Sequence, residues 1–283
     1  ISVISVSIPG RMDDEAMDGG ELAPVGGKTL VAPSGWAFAI WGPIFLGELV
    51  GVIVPFFISE KAPVVTLLKQ TSGPFIAAQL FQSLWCATFR PKYKGASRYI
   101  STGMLSATAY TLSRAHAAFT TNSARTSYSA LEYGILFLPM ALHFGWTTAA
   151  SLVNINGSVS MQEDSSPKVI ARVGHLSVVG ATALGVFIAT TRQAPVFAGV
   201  ITWALSAVAD GMKKRLATAS SEGESTPLSG KKGKQSEMGV RLEGASVQYF
   251  LSRAGAYVNG LTAVFVAVTM ASAGGVKSVA PEF

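Results

Sequence analysis

Charged residues are scarce in this chain. Asp, Glu, Lys and Arg make up 13% of its 283 residues, whereas soluble domains usually carry about 25%. Hydrophobic residues make up 49%, and the mean hydropathy is +0.40. The apolar residues come in blocks of about 20, the length that a helix needs to cross a bilayer. The composition therefore predicts an all-α fold, a polytopic transmembrane helix bundle, and a large soluble core is the weaker alternative.

Cysteine and catalytic motifs are also lacking. The one cysteine, Cys86, lies in an apolar block, so an intrachain disulfide and CxxC metal motifs are excluded. We find no phosphate-binding glycine loop, no GxGxxG after a strand, no HExxH and no GxSxG. The sequence therefore predicts a protein that is not an enzyme. No convincing internal repeat is present, although many transporters show one.

About seven membrane spans are predicted. They lie at 36–58, 73–89, 99–119, 131–154, 169–190, 195–211 and 254–273. The predicted organisation is an exposed N-terminal arm over 1–35, a bundle of six spans over 36–211, a polar flexible linker over 212–253, and the seventh span with its tail over 254–283. The linker is predicted from its Ser, Gly and Lys content.

The basic residues indicate how these spans are oriented. Of 22 Lys and Arg residues, 15 fall on the side that holds the N-terminus and 5 on the other side. Positive residues concentrate on the cytoplasmic side of membrane proteins, which places the N-terminus there, or in the stroma if the membrane is a thylakoid. The sequence pI near 9.5 then reflects sidedness, so a nucleic-acid partner is not expected.

The fourth span, "LPMALHFGWTTAASLVN", carries polar groups in an apolar setting. Trp146, Ala150 and Asn154 recur every four residues and therefore share one helix face, and His143 lies close to that face. Pro139 removes a backbone hydrogen bond, so we expect a kink that opens space between helices.

The first span carries an aromatic stripe. Phe38, Trp41 and Phe45 follow a helical spacing. If this stripe faces that of the fourth span, the two would suit a flat, mostly apolar ligand such as a tetrapyrrole. Packing or an interfacial position is the competing interpretation, because Trp is common near membrane interfaces.

These two stretches together resemble the TspO/MBR family of translocator and tryptophan-rich sensory proteins. The family's first-span pattern is filled by Pro33, Gly35, Trp36, Phe38, Trp41 and Phe45. Its fourth-span pattern is filled by Leu138, Pro139, Trp146, Ala150 and Asn154. A later stretch, "VITWALSAVA", looks like the tryptophan-bearing span of the longer branch. The resemblance implies a five-helix core with extra helices here, and binding of porphyrin or lipid.

Further polar residues are candidates for ligand contact. His143 and His175 are candidate axial ligands to a chlorophyll magnesium or a haem iron, or else they bond to a neighbouring helix. Gln82 is a candidate ligand contact as well. Glu48 lies at membrane depth, where a carboxylate is costly, so we expect a buried pair with Arg114 or Arg172.

Three functions stay open from the sequence. The leading one is a membrane protein that binds a tetrapyrrole (porphyrin or chlorophyll) or a lipid inside its bundle. The second is an accessory subunit of a photosynthetic complex, with photosystem or antenna proteins as partners and chlorophyll or carotenoid in the same pocket. The third is a small-molecule transporter. A first residue of Ile1 is compatible with a processed organelle protein, for which a plastid thylakoid is favoured over a mitochondrial membrane.

Overall fold

The described part of the chain folds into seven long helices. The structure, a computed structural model, describes residues 4–5, 8–12, 29–224 and 244–277, and within them it contains helices and no strand. The long helices are α1 (Trp41–Ile53), α2 (Pro63–Thr88), α3 (Arg98–Thr120), α4 (Leu138–Ser160), α5 (Pro167–Thr191), α6 (Pro195–Glu224) and α7 (Ala245–Lys277). Short 3-10 turns, Gly35–Ile40 and Val54–Phe57, flank α1. The predicted all-α membrane bundle is confirmed.

Five stretches of the described chain are long and apolar enough to cross a membrane. They are Gly35–Phe57, Ala130–Ser160, Pro167–Thr191, Pro195–Ser220 and Ala245–Ser272, which contain α1, α4, α5, α6 and α7. The spans predicted at 73–89 and 99–119 correspond to α2 and α3. Neither helix is among the five stretches that are apolar enough to cross a membrane.

Some of the polar side chains that lower the mean hydropathy of α2 and α3 lie inside the bundle. Gln82 of α2 and Thr108 and His116 of α3 are buried, whereas Leu80 and Tyr110 are exposed. A helix with an apolar outer face still suits lipid when its polar groups pack inside a bundle. Membrane crossing by α2 and α3 therefore stays a prediction.

Helix α4 is the centre of the bundle. It packs against α1, α3, α5 and α6. In the apolar 18-residue stretch within Ala130–Ser160, 67% is buried inside the protein, compared with 22% for the stretch within Ala245–Ser272. Small residues on α4 allow this close approach. At Gly145, an added Cβ would lie 2.8 Å from Val200 Cβ of α6.

The backbone is irregular just before α4, but Pro139 does not open the space between helices that its kink was predicted to create, because it packs on α1 and does not line the pocket described below. Residues Tyr133–Phe137 form a π-helical turn, and Pro139 lies in the first turn of α4. Irregular turns of this kind accommodate the hydrogen bond that a proline cannot make. Pro139 packs against Gly47 of α1, and Gly51 lies beside the carbonyl of Ile135. The two α1 glycines therefore let α1 lie directly on this turn.

The prediction of an exposed arm over 1–35 is wrong for its described C-terminal part. Residues 29–34 run into the bundle, with Thr29 fully buried. The hydroxyl of Ser34 donates to Asp210 Oδ2 at 2.7 Å, and the indole of Trp36 donates to the same oxygen at 3.1 Å. Arg215 donates to the carbonyl of Thr29 at 2.6 Å. These contacts with α6 hold the segment, while residues 13–28 lie outside the described part.

The predicted linker over 212–253 is largely helical where it is described. Helix α6 continues to Glu224, and α7 begins at Ala245. Met212, Gln248 and Ser252 are buried, so these polar stretches have an inward face that composition alone does not reveal. Residues 225–243 lie outside the described residues.

We predict that Gly145→Ala destabilises the protein. An added methyl group meets the β-branched Val200, which cannot move away, and overpacking of this kind costs about 1–3 kcal/mol. Gly180→Ala on α5 is the matched control, because an added Cβ there meets nothing within 4 Å, and Ala favours a helix by about 0.5–1 kcal/mol over Gly. Thermal unfolding in detergent should show a lower melting temperature for the first variant and an unchanged or higher one for the second. Equal shifts would contradict close α4–α6 packing.

Candidate functional site

A pocket opens between the helices near one end of the bundle. Hydrogen bonds across that end join Gln162 after α4 to Gly95 before α3, and Met12 to Phe89 after α2. The pocket is open at its mouth, and the space inside it that the centre of a water molecule can reach measures about 80 Å³. Side chains of α1 to α6 and the segment before α1 line it, and most of them are apolar.

The aromatic residues predicted on the first and fourth spans meet at this pocket. Phe38 and Trp41 line it together with Trp146. The ring centroid of Trp146 lies 5.7 Å from that of Phe38 and 6.2 Å from that of Trp41, both in edge-to-face geometry. Phe45 is not among the lining residues; it stacks behind Trp41 at 4.8 Å.

Ala150 and Asn154 also line the pocket, as their spacing with Trp146 predicts. Asn154 Oδ1 accepts hydrogen bonds from Ser101 Oγ at 3.1 Å and from Thr102 Oγ1 at 2.8 Å. Both donors belong to α3, so Asn154 fixes α4 against that helix. Its amide oxygen is therefore already used by the protein itself.

Sequence reasoning missed the residues that α2 and α3 bring to the pocket. Trp85 and Phe89, stacked at 5.3 Å, line it from the end of α2, and Arg98 lines it from the start of α3. The i, i+4 spacing of Trp85 and Phe89 was a usable signal. Arg98 resembled any other basic residue of a connecting loop, and only the packing of α3 turns it inward.

His143 lies behind the aromatic residues in a buried polar network. Its Nδ1 lies 2.5 Å from Glu48 Oε1 of α1, and its Nε2 lies 2.5 Å from Gln82 Oε1 of α2. The amide of Gln79 donates to the other Glu48 oxygen at 3.0 Å. Trp41 packs edge-to-face on the imidazole with 5.5 Å between centroids. Both ring nitrogens are therefore engaged, and the geometry does not favour His143 or Gln82 as a metal or ligand contact.

The predicted pairing of Glu48 with an arginine is wrong. Glu48 is buried, as expected, but it pairs with His143, and Arg114 and Arg172 are exposed. Arg114 lies in the second half of α3, and Arg172 lies near the start of α5. Long basic side chains near helix ends reach water more cheaply than they enter the bundle.

His175 lies away from the pocket. It is half-buried between α5 and α7, where its Nδ1 lies 2.6 Å from Oε1 of the buried Gln248. This position favours the hydrogen-bonding interpretation over metal ligation. Polar pairs of this kind join helices within membranes.

The helical bundle, its five candidate spans and the pocket near one end define a polytopic integral membrane protein. A family model described as TSPO-like protein matches residues 17–220. The chain therefore belongs to the TSPO-like protein family. The matched range ends within α6, so α7 lies beyond it. Comparisons with curated proteins and with solved structures gave no match.

We predict that His143→Leu strongly destabilises the bundle. The change leaves the buried Glu48 carboxyl and Gln82 amide without their partner, and breaking a buried pair costs about 3–5 kcal/mol. The double variant Glu48→Leu/His143→Leu removes both partners and should recover part of that loss, because apolar groups replace the pair. Unfolding in detergent measures both. A double variant less stable than the single one would contradict the pairing.

Proposed function

We propose that this protein binds a tetrapyrrole, of the porphyrin or chlorophyll kind, in the pocket near the end of its bundle, and that it acts by binding, sensing or delivery rather than by catalysis. The observation that carries the proposal is the convergence of Trp41, Trp85 and Trp146 on one largely apolar pocket. Membership of the TSPO-like family supports it. A lipid or carotenoid is the other apolar ligand that such a lining admits.

The lining suits a flat ring system. Aromatic side chains pack favourably on other rings, face to face or edge to face, and indole rings come from three different helices. The pocket also carries few polar groups, which is typical of sites where shape and apolar contact supply most of the affinity. None of the lining residues is a histidine, so recognition by ring packing does not require axial histidine ligation.

The buried network supports this role indirectly. Trp41 packs on His143, which Glu48 and Gln82 hold from two other helices. The indole is thereby fixed before a ligand arrives. A preorganised site loses less entropy on binding than a mobile one.

The orientation follows from the charge distribution. Arg90, Lys92, Lys94, Lys168 and Lys213 lie close to this end of the bundle, where α2 ends and α5 begins. Under the positive-inside rule, the pocket lies toward the cytoplasm, or toward the stroma if the membrane is a plastid thylakoid, as we propose.

We predict that Ala150→Trp weakens binding of protoporphyrin IX about tenfold or more. The added indole occupies space that the ligand needs, and a tenfold loss of affinity corresponds to about 1.4 kcal/mol. Ala183→Trp on the exposed face of α5 is the matched control and should bind normally. Binding is measured as quenching of intrinsic tryptophan fluorescence, since three of the five tryptophans line the pocket. Absence of quenching in the unmodified protein would refute the proposal.

The alternative of a photosynthetic complex subunit makes a different prediction. Extraction in mild detergent, followed by size-exclusion chromatography with absorbance spectra, should then show the chain in a large particle that absorbs red light. A small colourless particle would exclude that role and leave a separate binding protein or a transporter. Substrate-dependent flux in proteoliposomes distinguishes those two.

A further inference from the structure

The pocket contains a buried cation whose contacts are unusually poor. Arg98 is 8% exposed, and it lines the pocket from the first turn of α3. Its Nη1 lies 3.4 Å from the sulfur of Met12 and 3.2 Å from the sulfur of Met161. Thioether sulfur is a weak acceptor. Among the described residues, no carboxylate forms an ion pair with Arg98, and its Nε–H finds no acceptor.

Such an arrangement is costly for the protein by itself. Buried charges are normally paired, and buried donors normally have acceptors. The polar atoms nearby on α4 are engaged elsewhere, because Asn154 Oδ1 already accepts two hydrogen bonds from α3. Ser158 Oγ lies 3.1 Å from Thr102 Oγ1 and bonds with it. The guanidinium therefore has an unmet demand for an anionic acceptor.

Two further donors show the same deficit in the same pocket. The indole Nε1 atoms of Trp85 and Trp146 are buried and lack an acceptor in the described part of the chain. A buried indole N–H usually finds a partner. Together with Arg98, three residues that line the pocket from three helices each carry a buried donor without an acceptor. A ligand that satisfies them must bring acceptors, and one that satisfies the guanidinium should bring negative charge.

A second guanidinium lies close to the pocket. Arg11 lies with its guanidinium 5.8 Å from the ring centroid of Trp85. Of the acidic residues that the structure describes near this end, Glu163 and Asp164 are exposed, and Asp210 is paired with Lys214. Basic clusters raise the local concentration of anionic ligands.

We propose that Arg98 is an anion anchor, and that the pocket selects apolar ligands that carry a free carboxylate. This inference rests on the proposed function, and it restricts the ligands to tetrapyrroles that carry a free carboxylic acid. A porphyrin with propionic acid groups or a chlorophyllide has such a carboxylate, whereas chlorophyll a carries its acid groups as esters. Fatty acids are also apolar molecules with a free carboxylate, and the experiment distinguishes them from tetrapyrroles.

The test compares acid and ester forms of one ring. The purified full chain is titrated at neutral pH with protoporphyrin IX and with its dimethyl ester, and then with chlorophyllide a and chlorophyll a. The unmodified protein should bind each free acid about 10–100-fold more tightly than the ester, the range expected for a charge-assisted hydrogen bond. This comparison needs no variant, so it does not depend on whether an altered chain folds.

Variants then assign the preference to Arg98. Arg98→Gln should abolish the acid preference by weakening acid binding and leaving ester binding unchanged, and Arg98→Lys should retain part of it. Arg172→Gln is the matched control, since it removes the same charge from an exposed site near this end. The affinity of each ligand is compared between protein variants in the same detergent. Because the ligand enters the detergent micelles equally in each titration, this effect cancels from the comparison.

Two failures can be told apart. If no tetrapyrrole binds but oleic acid binds more tightly than methyl oleate, and Arg98→Gln removes the difference, the anchor stands and the tetrapyrrole function falls. If tetrapyrroles bind but acid and ester bind equally, the function stands and the anchor is refuted.

Discussion

The buried hydrogen bonds of His143 are the interaction on which the rest of this bundle depends. A bilayer offers no water to a buried polar group, so each such group needs a partner inside the protein. The imidazole joins the central helix α4 to Glu48 of α1 and to Gln82 of α2. One side chain thereby fixes the positions of three helices, and Trp41 of the pocket rests directly on it.

Close packing of small residues complements that network. Gly47 accepts Pro139, and Gly145 accepts Val200, so α1 and α6 both approach α4 closely. The side chain of Asn259 occupies the corresponding space at Gly185 between α5 and α7. In lipid, helix association relies on such contacts because apolar burial supplies little drive between helices. The pocket is the region near one end where this packing is interrupted.

Buried N–H donors without an acceptor are grouped around this pocket. In the described part of the chain, Gln82, Asn156, Ser252 and Asn259 also have a buried polar atom without a partner, but only Trp85, Arg98 and Trp146 line the pocket, and in all three the unpaired atom is a donor. Buried unsatisfied groups are rare in native proteins and call for an explanation. The acidic ligand that we propose would satisfy all three donors, and it would give the aromatic lining and the basic end of the bundle one function.

The helices, most of their bounds and the face shared by Trp146, Ala150 and Asn154 could be predicted from the sequence, because apolar blocks and helical periodicity are local properties of the chain. The family could be recognised from the sequence as well. The fold was needed to show that Glu48 pairs with His143 instead of an arginine, that Thr29 is buried, and that Arg98 lines the pocket. Periodicity shows which residues share a helix face, but it does not show which faces of two different helices pack against each other. That choice depends on packing between residues far apart in the chain, such as Glu48 and His143.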